Sequence, residues 1–357
     1  MDAHRDQLSS ISILDSSGQP VDLNALRKWI IPRIPHLDSP WQITRFPDGF
    51  SNLTYLIEAS GGTCVIRTPP PGANIRSAHD MGREFRMLSA LQPHFGQIPK
   101  PLACCEDGAV IGTPFFVMSK VEGRIYRQQK SQDALPAPGE MHSISSAAVD
   151  TLAKLHSIDV HATGLDALGH PEGYVSRQVN GWIRRYHQCA TEDIQGLGET
   201  EAWLLDNLPG DTAPSVIHND FKYDNLVFSM TGDARVEAVL DWEMSTIGDP
   251  LMDLGTMLAY WSEPGDDPAL KPFNLTWLPG NLTRAQVIDR YAILRGIERP
   301  NLCFHYVFGC YKIGVIVQQI FARYQRGLST DKRFAGLTHV LRATIRQAMD
   351  TIRTGQI

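Results

Sequence analysis

His218-Asn219-Asp220-Phe221-Lys222-Tyr223-Asp224-Asn225 sets an Asp, a Lys two positions on and an Asn five positions on in one short polar turn. A second Asp, Asp241, follows the apolar run Val236 to Leu240. Phosphoryl transfer asks a protein to place a nucleophile, neutralise phosphate charge and hold a metal bridge. Each requirement has a candidate. Asp220 can bond an acceptor hydroxyl and take its proton late in the transfer. If the backbone is extended between them, Asp220 and Lys222 face the same side, so Lys222 can meet a γ-phosphate. Asn225 offers Mg²⁺ a neutral oxygen and Asp241 a charged one, and Mg²⁺ prefers such sparse protein ligation, with waters and phosphates completing its shell. Singly, Asp and Asn in loops usually cap turns. Four polar residues at these offsets, flanked by strand-like apolar segments, point to a site.

The elements that must position this turn can be read along the chain. Asp22 is placed to cap a helix running to about Ile31, ended by Pro32 and Pro35. Strand patterns follow at Trp41 to Phe46, Leu53 to Ala59 and, after the turn pair Gly61-Gly62, Thr63 to Thr68. Met81 to Leu91 reads as an amphipathic helix. Leu102 to Glu106, Ala109 to Ile111 and Phe115 to Val121 read as further strand segments, six in all, and the expectation for the first ~125 residues is a five-stranded antiparallel sheet with one helix, a compact α+β lobe. Lys130 to Glu140 reads as a loop. Helical spacing then dominates at Met141 to Ile158, Tyr174 to Cys189, Glu199 to Leu208, Leu251 to Trp261, Arg284 to Leu294, Leu302 to Arg326 and Asp331 to Arg353, interrupted by short strands between 216 and 253. The expected division is an N-terminal extension with a helix over 1–40, a sheet lobe over 41–122 and a mainly helical lobe over 123–357.

Composition narrows the function classes. The 357 residues are 43% hydrophobic and 20% charged, as in ordinary soluble proteins. The net charge of −6 disfavours nucleic acid as a general partner. From Gly255 on, 13 Lys and Arg stand against 7 Asp and Glu, a net of +6, which either solvates helix surfaces or marks an anionic substrate. The six cysteines form no CxxC pair and fit free thiols in a reducing compartment, so a cytoplasmic location is expected. The N-terminus shows no secretory pattern. Leu302 to Phe321 is apolar but interrupted by His305, Lys312, Gln318 and Gln319, which points to a buried core helix and no membrane partner.

HNDFKYDN and the downstream VLDWEMSTIGDPLMDLG resemble the aminoglycoside phosphotransferase family of the protein-kinase-like superfamily, and the resemblance extends from about residue 40 to the C-terminal helices. It implies a bilobal kinase-like fold with ATP in the interlobe cleft and ATP and Mg²⁺ as cofactors. By that resemblance Asp48-Gly49-Phe50-Ser51-Asn52 is the phosphate-covering loop, with Ser51 and Asn52 donating to phosphate. Arg67 stands where the family usually has Lys, and Glu84 resembles its pairing partner. Phe116 to Gly123 resembles the strand and hinge that hold adenine, with backbone groups from Ser119 to Val121 at the purine edge and Met118 and Val65 on its face. Asp253 would brace the catalytic loop, Asp249 would cap a helix, His218 would orient the loop, and His156 would face the interlobe core.

The PPPG run after Arg67, SAHDMGREFRML and LDWEMSTIGDPLMDLG are closest to a subgroup of that family. It includes bacterial stand-alone phosphotransferases and the kinase-like domain fused to acyl-CoA dehydrogenase, and some members phosphorylate 4-hydroxyacyl-CoA thioesters. The resemblance therefore implies a small-molecule hydroxyl acceptor, foremost a hydroxyacyl-CoA or similar anion. The alternatives are an aminoglycoside kinase and a catalytically silent nucleotide-binding protein. A monomer or homodimer is expected.

Overall fold

The computed structural model describes residues 13–38, 40–46, 52–71, 80–127, 136–232, 234–328 and 331–357. The chain divides into two compact units, Met1–Glu122 with Leu240–Met244, and Gly123–Val239 with Ser245–Ile357.

In the first unit, α1 (Leu23–Ile30) starts where Asp22 Oδ1 accepts from the Asn24 N–H at 2.8 Å, and it buries Leu26 and Ile30. Five strands follow: β1 (Gln42–Arg45), β2 (Leu53–Ala59), β3 (Gly62–Thr68), β4 (Pro101–Cys105) and β5 (Phe115–Met118). They form one antiparallel sheet in the order β1-β2-β3-β5-β4. The β2–β3 turn needs Gly61, because a Cβ there would stand 2.1 Å from the His36 carbonyl oxygen. One sheet face packs with α1 around Tyr55, Ile57, Ile66, Phe115 and Val117. Between β3 and β4, α2 (Met81–Leu91) begins at Asp80, whose carboxylate accepts from the Arg83 N–H, and it carries Glu84 in its first turn.

Ala109 to Ile111 is not a strand. Asp107 Oδ1 accepts from the Ala109 N–H, and the Gly112 N–H returns to the Gly108 carbonyl, so the segment closes as a turn.

The second unit is mainly helical. It contains α3 (Pro138–His156), α4 (Val160–Thr163), α5 (Tyr174–Cys189) and α6 (Leu197–Asp206). Two short antiparallel ladders follow: β6 (Ser215–Ile217) pairs with β9 (Thr246–Gly248), and β7 (Leu226–Phe228) pairs with β8 (Val236–Val239). Then come α7 (Pro250–Tyr260), α8 (Arg284–Arg295), α9 (Cys303–Gln325) and α10 (Leu337–Thr354). Pro138 at the first turn lets α3 begin earlier than its apolar spacing suggests. A 3₁₀ turn, Lys332–Gly336, occupies the expected start of α10.

Two glycines bring α7 and α9 close together. A Cβ on Gly255 would lie 2.4 Å from the His305 carbonyl oxygen, and one on Gly309 would lie 2.6 Å from that of Gly255. The long apolar stretch is therefore a packed core helix. Among the described residues no helix is long and apolar enough to cross a membrane. All six cysteines are free.

Candidate active site

The turn between β6 and β7 builds the first cluster, within the second unit. Lys222 has extended backbone, with φ −154° and ψ 163°, so its side chain and that of Asp220 share a face as the spacing predicts. Lys222 Nζ lies 3.0 Å from Asp220 Oδ1 and 2.9 Å from Oδ2. Burial works to lower the Lys222 pKa, but the Asp220 carboxylate overrides it, so the ammonium is held above its ordinary value. The Tyr260 ring lies against Lys222, its centroid 4.7 Å from Nζ. Asn225 Nδ2 donates to the Asp220 carbonyl at 2.8 Å and to Asp220 Oδ2 at 2.9 Å. Its amide nitrogen is thus committed, and the group it can offer a cation is the oxygen.

The turn is anchored from behind. Asp253, fully buried on α7, accepts the His218 N–H at 2.6 Å and the Asn219 N–H at 2.8 Å. Burial would raise the Asp253 pKa, but His156, His218 and these hydrogen bonds hold it below the ordinary carboxylate value. Asp249 caps α7 through the Leu251 N–H at 2.7 Å. His218 is fully buried and takes the Asp220 N–H on Nδ1 at 3.3 Å. The hydrogen-bonding partners of His156 are Tyr291 Oη at 2.8 Å and Asp253 Oδ2 at 3.2 Å, both inside the second unit.

The second cluster lies within the first unit, where Leu240–Met244 belongs. Arg67 is 6% exposed and its guanidinium meets three carboxylates. Nη1 is 2.5 Å from Glu84 Oε1, and Nη2 is 2.8 Å from Asp241 Oδ1 and 3.7 Å from Glu243 Oε2. Burial works against both charges of the inner pair. The three carboxylates nonetheless raise the Arg67 pKa, while burial raises that of Glu84 against the pull of Arg67. The Trp242 N–H reaches Glu84 Oε1 at 3.2 Å, and Arg83 Nη1 donates to the Glu243 carbonyl at 2.7 Å.

Of all described residues other than glycine, two have positive φ, Asn219 and Asp241, each at 67°. Left-handed backbone at an Asn or Asp is tolerated at modest cost and is characteristic of functional turns. Both fall in the two polar motifs.

A profile of the APH phosphotransferase enzyme family matches residues 42–288. The chain belongs to that family. It is 35% identical over 314 residues to acyl-CoA dehydrogenase family member 11 of Rattus norvegicus, a match covering 86% of this chain and 40% of that protein. The chain thus spans well under half the length of that relative. A Ralstonia eutropha crystal structure described as a "putative aminoglycoside phosphotransferase" superposes with a TM-score of 0.75 at 28% identity, covering 92% of this chain and 99% of that one. Spectinomycin phosphotransferase APH(9)-Ia, solved with ADP and spectinomycin, covers 94% of this chain and 99% of its own at a TM-score of 0.56 and 10% identity, a likeness of fold alone. The five-stranded sheet and the mainly helical remainder are the kinase-like fold of these phosphotransferases.

Several nucleotide-site expectations for this phosphotransferase change in the structure. Asn52 is 3% exposed and its Nδ2 donates to Glu243 Oε2 at 2.7 Å, so that amide is directed to a carboxylate and not out to phosphate. Ser51 and the rest of Asp48 to Ser51 lie outside the described residues. The Ser119 N–H is given to the Lys100 carbonyl at 2.9 Å and its hydroxyl accepts the Lys100 N–H at 2.8 Å. That leaves the Ser119 carbonyl and the groups at Val121 as purine-edge candidates. Val65 and Met118 are register partners across β3 and β5, so their side chains are neighbours on one face of the sheet.

Glu243 was missed. It stands two residues after Asp241 in the same motif, and that short spacing after a strand end was the available signal.

The donor set suits Mg²⁺ with nucleotide. Carboxylates outnumber guanidinium groups around Arg67, and among the described residues buried Arg67 Nε and Glu84 Oε2 have no hydrogen-bond partner. Among the described residues no three His, Cys, Asp or Glu side chains are grouped to hold a metal unaided. An ion held by one carboxylate, one amide oxygen and phosphates needs no such group.

The C-terminal basic surplus is largely taken up locally. Arg284, Arg290, Arg299, Arg333, Arg342, Arg346 and Arg353 each pair with a nearby carboxylate. The charge count alone therefore does not mark an anion site.

Proposed function

We propose that this phosphotransferase is an ATP- and Mg²⁺-dependent kinase acting on a hydroxyl of a small metabolite, foremost a hydroxyacyl-CoA or a similar anionic acceptor. The observation that carries the reading is the Asp220–Lys222–Asn225 cluster, in which one carboxylate is flanked by an ammonium and by an amide whose oxygen is left for a cation.

Asp220 orients the acceptor hydroxyl and takes its proton as the oxygen gains the phosphoryl group and ADP departs. Lys222 neutralises charge on the transferring group. Asn225 and Asp241 would hold the metal, and Mg²⁺ would supply charge neutralisation at the phosphates. Arg67, held by Glu84, serves the α- and β-phosphates with a forked cation. Met118 with Val65, and the backbone from Ser119 to Val121, form the adenine side. The ADP in the spectinomycin phosphotransferase structure supports ATP as donor. The likeness to acyl-CoA dehydrogenase family member 11 supports an acyl-CoA acceptor. The free cysteines support a cytoplasmic protein, and we expect a monomer or homodimer.

The Ralstonia relative favours an aminoglycoside acceptor as the second reading. ADP release measured across hydroxyacyl-CoAs and aminoglycosides, with ATP and Mg²⁺, decides between them. Turnover with a hydroxyacyl-CoA supports the proposal, and turnover with aminoglycosides alone replaces it. ATP binding with no turnover on any acceptor identifies a silent nucleotide-binding protein.

A further inference from the structure

Lys312 lies in the middle of α9 and is 1% exposed. Among the described residues no carboxylate lies within ion-pair distance of its ammonium. Nζ instead donates to the backbone carbonyl of Asn219 at 2.6 Å, with Asn219 Oδ1 at 3.5 Å, and sits 5.7 Å from the centroid of the Trp182 ring. Burying an ammonium against a neutral acceptor is costly, so its placement calls for a reason.

The carbonyl it holds belongs to the peptide joining Asn219 to Asp220. Asn219 is one of the two left-handed non-glycine residues, and it is gripped on every side. Its N–H goes to Asp253, its side-chain amide meets Tyr174 Oη at 3.0 and 3.1 Å, and its carbonyl goes to Lys312. Rotation of that peptide would swing the Asp220 carboxylate. The Gly255–Gly309 approach of α7 and α9 sets the depth of α9 one turn before Lys312.

We propose that Lys312 is a positioning residue for phosphoryl transfer: its ammonium locks the Asn219–Asp220 peptide and so aims the Asp220 carboxylate, and loss of its charge releases the loop. The proposal rests on the reading of Asp220 as the acceptor-orienting carboxylate.

The surroundings make the charge sensitive to pH. Burial is the largest influence and lowers the Lys312 pKa to about 8. Asp253 from α7 and Asp220 from the loop oppose that shift, while Arg185 from α5 and Lys222 from the loop add to it. Other titratable groups nearby are Tyr174 on α5, His218 in the loop and, behind Asp253, His156 on α3. On α6, Glu201 bonds the adjacent Tyr311, and α10 meets this stretch of α9 with Leu341, Thr344 and Ile345 around Gly314. Lys312 is charged below about pH 8 and neutral above it, and a neutral amine donates a weaker hydrogen bond.

The test compares full-length wild type, Lys312→Met and Lys312→Arg. With the acceptor that turns over, kcat in Lys312→Met falls by about 10- to 100-fold, while KM for ATP stays within about twofold. The wild-type kcat declines as pH rises through about 8, whereas Lys312→Met lacks that alkaline limb and Lys312→Arg restores kcat and holds it to higher pH. A Lys312→Met enzyme with wild-type kcat and the same alkaline limb overturns the proposal.

Amide hydrogen exchange over residues 217–225 gives a readout that needs no turnover. It should be faster in Lys312→Met and near wild type in Lys312→Arg, and equal exchange in all three proteins overturns the proposal. Absence of wild-type turnover would instead remove the kinase reading, with the exchange arm still deciding whether Lys312 locks the peptide.

Discussion

Asp253 is where the fold and the proposed chemistry depend most on one side chain. Asp253→Ala leaves the buried His218 and Asn219 N–H groups, and His156 Nε2, without the acceptor they share. An unsatisfied buried donor costs ~1–3 kcal/mol, and since the three losses overlap the expected total is about 4 kcal/mol. At ~2–4 °C per kcal/mol for a unit of this size class, thermal unfolding followed by circular dichroism should drop by about 8–16 °C. Asp253→Asn keeps one acceptor oxygen and the shape, so its loss should be roughly half that. The acid side has a definite sign. The folded pKa of Asp253 is depressed, so its stabilisation is present above the unfolded value, about 3.9, and fades as pH falls from there toward the folded value. The difference between wild type and Asp253→Ala should therefore shrink below about pH 4. An Asp253→Ala protein that melts within about 2 °C of wild type at neutral pH, a shift worth no more than ~1 kcal/mol, would refute the bracing argument.

Three further outcomes follow from the site and its frame. Asp220→Ala should bind ATP nearly as wild type does while kcat falls at least about a hundredfold, since the acceptor carboxylate acts on the transfer step; comparable turnover would remove Asp220 from the mechanism. Asp241→Ala should lose the Mg²⁺-dependent part of nucleotide binding in calorimetric titrations with and without Mg²⁺, and an unchanged metal response would count against the assignment. Gly309→Val should destabilise by about 1–3 kcal/mol in urea unfolding because its side chain meets the Gly255 carbonyl, and wild-type stability would mean that α7 and α9 can separate freely.

The parts legible in the sequence were those written in local pattern. Alternation gave β2 at its observed bounds, and amphipathic spacing gave α2. The geometry of the polar turn was legible because its residues lie within eight positions and the extended backbone at Lys222 follows the simple two-residue rule. What escaped was set by tertiary contact. Ala109 to Ile111 has strand-forming residues, but Asp107 and two glycines close it as a turn. Asn52 had a phosphate role by position in the motif, yet burial beside Glu243 gives its amide a nearer partner. Lys312 read as an interruption in an apolar helix because nothing local reveals that a carbonyl 93 positions away receives its ammonium. Gly255 and Gly309 looked like ordinary small residues, and only the close helix crossing shows their use.

The most direct test of the central claim is mass spectrometry of candidate hydroxyl acceptors after incubation with the protein, ATP and Mg²⁺. The account predicts an acceptor heavier by one phosphoryl group, absent when EDTA removes the metal and nearly absent with Asp220→Ala. The same product formed by Asp220→Ala at the wild-type rate, or formed equally in EDTA, would contradict it.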